Sequence, residues 1–357
     1  MRAALYGWAF NKTNRANGET PPPQIAQDIA WLRAHTVQVA ALDDAALMRR
    51  ALDRLSVRLD GTPAAGPTVT RKRTTFSSAL KYAVELRQLD AHPLSRVTWT
   101  APKPDDVIDR RTVVNPDQAR ALLAAVRDIA PDMEAFFGCL YFAALRPEEA
   151  LHLTAAEVLW PTDGDAWGWL NLTGATVPVG RGWANDDKAT EDRSLKHRGR
   201  TATRRVPASP ELVALLRRHL DTYDTGTDGR LFVTRRGPDG RHRPTAGRPL
   251  NGNAYTRVWH KARTAALTEA QAATPLAKVP YQLRHAAVSL WLNSGVPPTQ
   301  VADWAGHSVN VLLRVYAHCL DGSDDAARRR IAEALDRGYS GTSSGAASGP
   351  RPDPIDT

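Results

Sequence analysis

Cysteine is scarce in this chain of 357 residues; there are two, Cys139 and Cys319. Neither has neighbours at metal-ligand spacing, so the sequence suggests neither a disulfide framework nor a zinc site. Cys139 lies in an apolar run and reads as core. Long hydrophobic runs are missing too. The longest clean one, Ala135 to Leu145, is far short of the ~20 residues that span a bilayer. The N-terminus has no charged region followed by an apolar stretch and a cleavage site, so no signal peptide is expected. The expected location is therefore the cytoplasm, with no membrane partner. There is no carboxylate cluster of the kind that holds two Mg²⁺ ions, and no internal repeat.

What the chain does have is positive charge. Its 47 Lys+Arg stand against 38 Asp+Glu, a net charge of +9. Such a balance favours a polyanionic partner, of which nucleic acid is the commonest. Hydrophobic residues make up 42%, ample for globular cores, and the length allows two domains and a tail.

Apolar spacing then divides the chain. Ile25, Ile29 and Leu32 share a helical face, and so do Leu47, Leu52, Leu55 and Leu59. Pro21-Pro22-Pro23 precedes the first helix and Asp60-Gly61-Thr62-Pro63 ends the second. A stronger amphipathic helix is predicted over 68–90. Val69, Phe76, Leu80, Ala83 and Val84 point inward, with Arg71, Lys72, Arg73 and Lys81 outward. That basic face is either a solvated surface or a seat for DNA phosphates. Residues 101–113, with Pro102 and Pro104, read as a linker. A helix starts cleanly after it, with Asn115 at the N-cap, Pro116 at the first helical position and Gln118 at the third. The pattern is helical over 117–152, about 209–220 and 252–266. Strands are predicted at 168–176 and 229–234, with another ending at Arg204-Arg205-Val206-Pro207. The Gly/Ser/Pro-rich residues 338–357 read as a disordered tail. The predicted organisation is an N-terminal helical domain over 1–100, the linker, and a second domain over 114–337.

Polar residues of one kind of chemistry recur in the second domain. The stretch Tyr281 to Gly322 carries Arg284, then Gly306-His307 with the His 23 residues on, then Tyr316 nine residues further. Between them a helical pattern over 286–293 closes at Gly295 and restarts after Pro297-Pro298. Upstream, Ala144-Leu145-Arg146-Pro147-Glu148-Glu149-Ala150 places an Arg after an apolar helix, with Glu149 at salt-bridge spacing. Ser194 to Arg200, with Lys196, His197, Arg198 and Arg200, is a basic loop leading into Arg204. Taken singly, each has a plain structural reading. The Arg would be ion-paired, the His satisfied, the Tyr among Val and Leu part of a core, and the basic loop solvated.

Taken together, these words and spacings resemble the tyrosine recombinase (phage-type integrase) family, in wording similar to integrases of mobile elements in actinobacteria. The likeness is specific over roughly 115–322 and looser over 68–114. It implies a mainly α fold with a small antiparallel β-sheet, in which a helical core-binding domain precedes a catalytic domain. It implies that Tyr316 is the nucleophile and that Arg146, Arg284 and His307 hold the scissile phosphate. Lys196 is the candidate hairpin lysine, with Lys188 its rival. Tyr281 occupies the position where the family has His or Lys, and keeps a phosphate-contact role but no evident proton-transfer role. His285 reads as structural. Ala144 stands for the family's Gly and Ala305 for its Leu. Arg71, Lys72, Arg73, Lys81, His197, Arg198, Arg200 and Arg204 are the expected DNA contacts.

The implied chemistry is coherent. A tyrosine oxygen attacks phosphorus and displaces a deoxyribose hydroxyl, conserving the bond energy in a 3′-phosphotyrosyl link. Rigid guanidinium forks suit the charge of the pentacoordinate transition state, and a Lys suits protonation of the leaving oxygen. No metal and no cofactor are implied. The expected partners are double-stranded DNA with specific attachment sites and three further copies of the chain in a tetramer. There is room for an accessory directionality factor. Asp324 to Leu335 reads as an amphipathic helix that docks on a neighbouring protomer. Family members with this wording carry more sequence before the helical domain, so the expectation is either an absent arm-binding module or a shortened N-terminal domain. Two other readings use the same residues. A type IB topoisomerase is disfavoured by the Gly-His spacing and the hairpin wording. A DNA-binding protein without catalysis draws on Tyr281 and the N-terminus.

Overall fold

The computed structural model describes residues 1–9, 20–100, 108–163, 166–179, 189–196, 199, 201–235, 246–316, 328–329, 331–333 and 335. The chain forms two units. The first comprises 1–106 with 177–191, and the second 107–176 with 192–357. The architecture is mainly α with small β-sheets. No described helix is long and apolar enough to cross a membrane.

In the first unit the leading helices are α1 (Pro23–Ala34), α2 (Ala45–Leu55) and α3 (Gly66–Glu85). Asp44 caps α2 by accepting a bond from the Ala46 amide at 2.8 Å. Met48 and Leu52 of α2 close on Leu80 of α3 and on Leu89 and Leu94, with Phe76, Ala83 and Val84 at the margin. The inward face expected of α3 is thus the packed one. Leu59 departs from expectation. Helix α2 ends at Leu55, so Leu59 falls outside the helical register and is 84% exposed. Ile25, Ile29 and Leu32 share a face of α1 but stay half-buried.

The second unit begins where α4 (Pro116–Ile129) is capped reciprocally. The Gln118 amide donates to Asn115 Oδ1 at 2.9 Å, and the Asn115 amide donates to Gln118 Oε1 at 3.0 Å. The single helical pattern read over 117–152 is broken into α4, α5 (Glu134–Phe142) and α6 (Pro147–His152). Pro131 and Pro147 supply the breaks, since neither can donate into a continuing helix. Helix α5 is apolar all round and correspondingly enclosed, with Ala135 to Tyr141 buried. At Gly138 the packing is close enough that a β-carbon would lie 2.8 Å from the Leu215 side chain.

Strands β1 (Val158–Leu159), β2 (Gly168–Leu172) and β5 (Arg204–Ala208) make an antiparallel sheet with β2 central. Strands β3 (Gly174–Pro178) and β4 (Thr190–Ser194) pair separately. The strand expected over 168–176 is therefore two strands divided at Thr173. Alternation sets the inner face of the three-stranded sheet. Leu170 lies opposite Val206 and Leu172 opposite Arg204, while Trp169 faces outward. The strand expected over 229–234 is absent as such. That segment buries Leu231 and Phe232 but pairs only through isolated bridges, Thr154 with Arg230 and Val233 with Pro249.

Helices α7 (Pro210–Thr222) and α8 (Gly252–Ala266) pack on this core. Three shorter helices follow: α9 (Gln282–Asn293), α10 (Pro298–Ala305) and α11 (Val309–Tyr316). Gly295 and Gly306, with φ of 83° and 64°, stop α9 and α10 in the left-handed conformation that glycine tolerates. These helices meet through Ala287, Val288, Val301, Ala302, Ala305, Leu312 and Tyr316. Alanines at three of these positions let the helix ends approach, and polar side chains fill the gap left between them.

Candidate active site

Arg146 sits at the N-cap of α6, and the sharp turn before it fixes its direction. Ala144 in that turn has φ of 49°. Glu149, one turn into α6, accepts from the Arg146 amide at 2.9 Å and from its Nη1 at 2.7 Å. The salt bridge read from spacing is present. The same carboxylate also accepts two bonds from Arg204, Nη1 at 2.9 Å and Nη2 at 2.7 Å, and lies 3.9 Å from Arg284 Nη1. Burial alone would push Glu149 upward; Arg204, then Arg146 and Arg284, outweigh it and hold the carboxyl at about 2. One ionised carboxylate therefore serves three buried guanidiniums.

Arg204 corrects the sequence reading. It was expected on the DNA surface, but it is 1% exposed and bonded to Glu149. Strand parity explains the difference: with Val206 on the inner face, Arg204 two residues earlier must face inward as well. Its neighbour Arg205 takes the outer face and lies 5.0 Å over the Trp169 ring.

Arg284, in the first turn of α9, is wholly buried. It donates to the carbonyls of Ala144 and Ala305, and its Nη2 lies 2.9 Å from His307 Nε2. Arg146 Nη2 donates to the Gly306 carbonyl at 2.8 Å. The end of α10 is thus gripped by two arginines. Gly306 is needed there for space as well as for φ, because a β-carbon would stand 2.3 Å from Arg204 Nη1 and 3.3 Å from Arg146 Nη1.

Burial first, and then Arg284 and Arg146, push His307 down to about 3, so its ring is neutral. With Nε2 engaged by an Arg donor, Nε2 is the accepting nitrogen and Nδ1 carries the hydrogen. Nδ1 is buried with no hydrogen-bond partner among the described residues, as is Nε of Arg284. Buried donors of this kind are uncommon unless something else satisfies them.

Tyr316 ends α11 and its side chain is buried. Its hydroxyl lies 2.9 Å from Nδ1 of His285, and its ring centroid is 6.1 Å from that of His307. Burial and then Arg284 push His285 down to about 4. His285, read from sequence as structural, in fact touches the tyrosine oxygen. Tyr281 stands at the N-cap of α9, half-buried, with its ring edge-on to His285 at 5.0 Å.

Lys196 is exposed, one residue past the buried Leu195 that anchors the end of β4. His197, Arg198, Arg200 and Lys188 lie outside the described residues, as do half of Asp324–Leu335 and the whole tail. In the first unit, Arg71 and Lys81 are exposed. Arg73 lies 5.7 Å over Trp99. Lys72 differs from expectation. Its ammonium donates to the Leu55 and Val57 carbonyls at 3.1 and 3.2 Å, capping the end of α2 instead of standing free.

Two arginines, a histidine and a tyrosine drawn from two separate stretches of sequence therefore share one site, built on small-residue helix ends. The family model described as "Phage integrase family" matches residues 112–322, the span that supplies every member of this cluster. The chain belongs to the phage integrase family, whose members act as tyrosine-type site-specific DNA recombinases. Among solved structures, the Tn1549 transposon integrase in complex with transposon right end DNA is similar, with a TM-score of 0.53 at 16% identity. That match covers 90% of this chain and 97% of that one. The XerH site-specific recombinase bound to palindromic difH substrate, a post-cleavage complex, is similar at a TM-score of 0.51 and 15% identity, covering 78% and 70%. At these identities the likeness is one of fold. No curated protein matches the chain by sequence.

Proposed function

We propose that this chain cuts and rejoins DNA strands at specific attachment sites through a 3′-phosphotyrosyl link, so that a mobile element is integrated or excised. The observation that carries the reading is the convergence of Arg146, Arg284, His307 and Tyr316 in one connected network. Tyr316 is the nucleophile. As its oxygen joins phosphorus, the bond to the 5′ oxygen breaks. Charge gathering on the non-bridging oxygens is met by Arg146 and Arg284 and by the Nδ1 hydrogen of His307. The buried donors without partners among the described residues, His307 Nδ1 and Arg284 Nε, are suited to phosphate oxygens. Lys196 protonates the leaving oxygen. Its place in a loop after a strand anchored by Leu195 would let it approach the strand being cut.

The solved relatives described above are held on DNA, and double-stranded DNA is the partner proposed here. Residues 1–100 and the catalytic domain would bind it together, with Arg71, Arg73 and Lys81 among the contacts. Four copies would assemble on two sites in the cytoplasm. The test is covalent trapping on nicked duplexes carrying the repeats that flank the gene, resolved on a denaturing gel. Wild-type protein should give a slow-migrating adduct and Tyr316→Phe none, with joining of two duplexes to follow. A duplex shifted on a native gel but never linked to wild-type protein would reduce the chain to a binding module. Linkage without joining of two sites would make it a topoisomerase.

A further inference from the structure

We propose that His285 is the base that accepts the Tyr316 hydroxyl proton as that oxygen attacks phosphorus. This rests on the recombinase reading and adds to it a residue that the sequence assigned to structure alone. Contact comes first: Nδ1 of His285 is 2.9 Å from the tyrosine hydroxyl, within the reach a base needs. Arg284, the group that would hold the phosphate, also interacts electrostatically with Tyr316. The other histidine is unsuited to the task, because Arg284 already occupies its Nε2 lone pair at 2.9 Å.

The imidazole is held in place by rings. Tyr281, four residues earlier on the same side of α9, meets it edge-on at 5.0 Å and 75°. The Tyr316 ring meets it at 5.8 Å and 60°. The tyrosine that replaces a His or Lys at position 281 thereby gains a role that needs no charge, as a wall that fixes His285. Among the described residues, the titratable groups that interact with His285 are Arg284, Tyr281, Tyr316 and His307. Burial and the Arg284 charge keep its lone pair free at neutral pH and oppose its protonation. A phosphodiester bound beside Arg284 would offset that charge. Proton transfer would then become favourable only with DNA in place.

The step balances. The proton moves from Tyr316 Oη to His285 Nδ1, the Oη–phosphorus bond forms, the bond from phosphorus to the 5′ oxygen breaks, and that oxygen takes a proton from Lys196. In religation the 5′ hydroxyl attacks and the imidazolium returns its proton to the departing tyrosine.

The experiment measures the rate of adduct formation on a flanking-repeat duplex that wild-type protein shifts on a native gel. His285→Gln keeps a hydrogen-bonding group but cannot serve as the base. It should retain wild-type melting and DNA binding and lose roughly a hundredfold in adduct rate. His285→Asn serves the same purpose if the Gln variant misfolds. Placing a fluorinated tyrosine, with a more acidic hydroxyl, at position 316 should recover most of the loss in the variant and change the wild-type rate little. The proposal is overturned if either variant stays within about twofold of wild type or links faster. It is also overturned if the acidic tyrosine recovers nothing, which would leave the imidazole a positioning residue. Failure of the recombinase reading looks different, because the wild-type protein would then form no adduct at all.

Discussion

At the residue scale the site depends on Glu149 more than on any single arginine. Its carboxylate takes four side-chain hydrogen-bond or ion-pair contacts from Arg146, Arg204 and Arg284. Without it, three guanidiniums would face one another with no counter-charge. Breaking a buried pair by removing one partner costs about 3–5 kcal/mol. Glu149→Gln should therefore lower the unfolding free energy by about that amount in urea titration, with the slope unchanged. It should also weaken DNA cleavage because Arg146 and Arg284 lose their orientation. A variant with wild-type stability would show that the arginines find other partners.

At the scale of elements, the turn from α5 to α6 sets sequence against backbone, as one of three places among the described residues where a non-glycine residue has positive φ. Ala144 occupies left-handed space at φ 49° so that its carbonyl can receive Arg284 and the next residues can launch Arg146. A β-carbon there costs roughly 1–2 kcal/mol, which glycine would avoid. Ala144→Gly is expected to stabilise the protein by about 1 kcal/mol after the added freedom of the unfolded chain is counted, read as a rise in melting temperature. The sequence disclosed much at this scale. Asn115, Pro116 and Gln118 announce α4 because capping is local chemistry, and Gly295 announces the end of α9 for the same reason. What it hid was set by contacts far along the chain. Arg204 is inside because strand parity couples it to Val206 and because Glu149 waits 55 residues earlier. His285 matters because Tyr316, 31 residues on, ends its helix against it. Lys72 is occupied because the carbonyl end of α2 lies beside it. A basic run on a helix looks the same in sequence whether its ammonium faces solvent or a helix end.

At the scale of the whole molecule, the net charge of +9 is not all surface charge. The residues proposed to hold and attack the phosphate stand out in sequence through a spacing that helix-turn-helix geometry sets. Their electrostatic setting was not, because it depends on which charges fold inside. Three guanidiniums and one carboxylate meet there, so the interior holds a surplus of positive charge before any DNA arrives. A fold in that condition resembles a compressed spring, kept shut by the packing around it, and a small tetrahedral dianion would release part of the compression. Sodium sulfate should raise the melting temperature more than sodium chloride of equal ionic strength, by the equivalent of about 1–3 kcal/mol as the site saturates. In Arg146→Ala the extra rise should disappear, leaving only the general salting effect. Equal shifts in the two proteins would mean that the surplus is already quenched. If the spring is real, the empty enzyme is the strained form, and the strand it cuts is also what relaxes it.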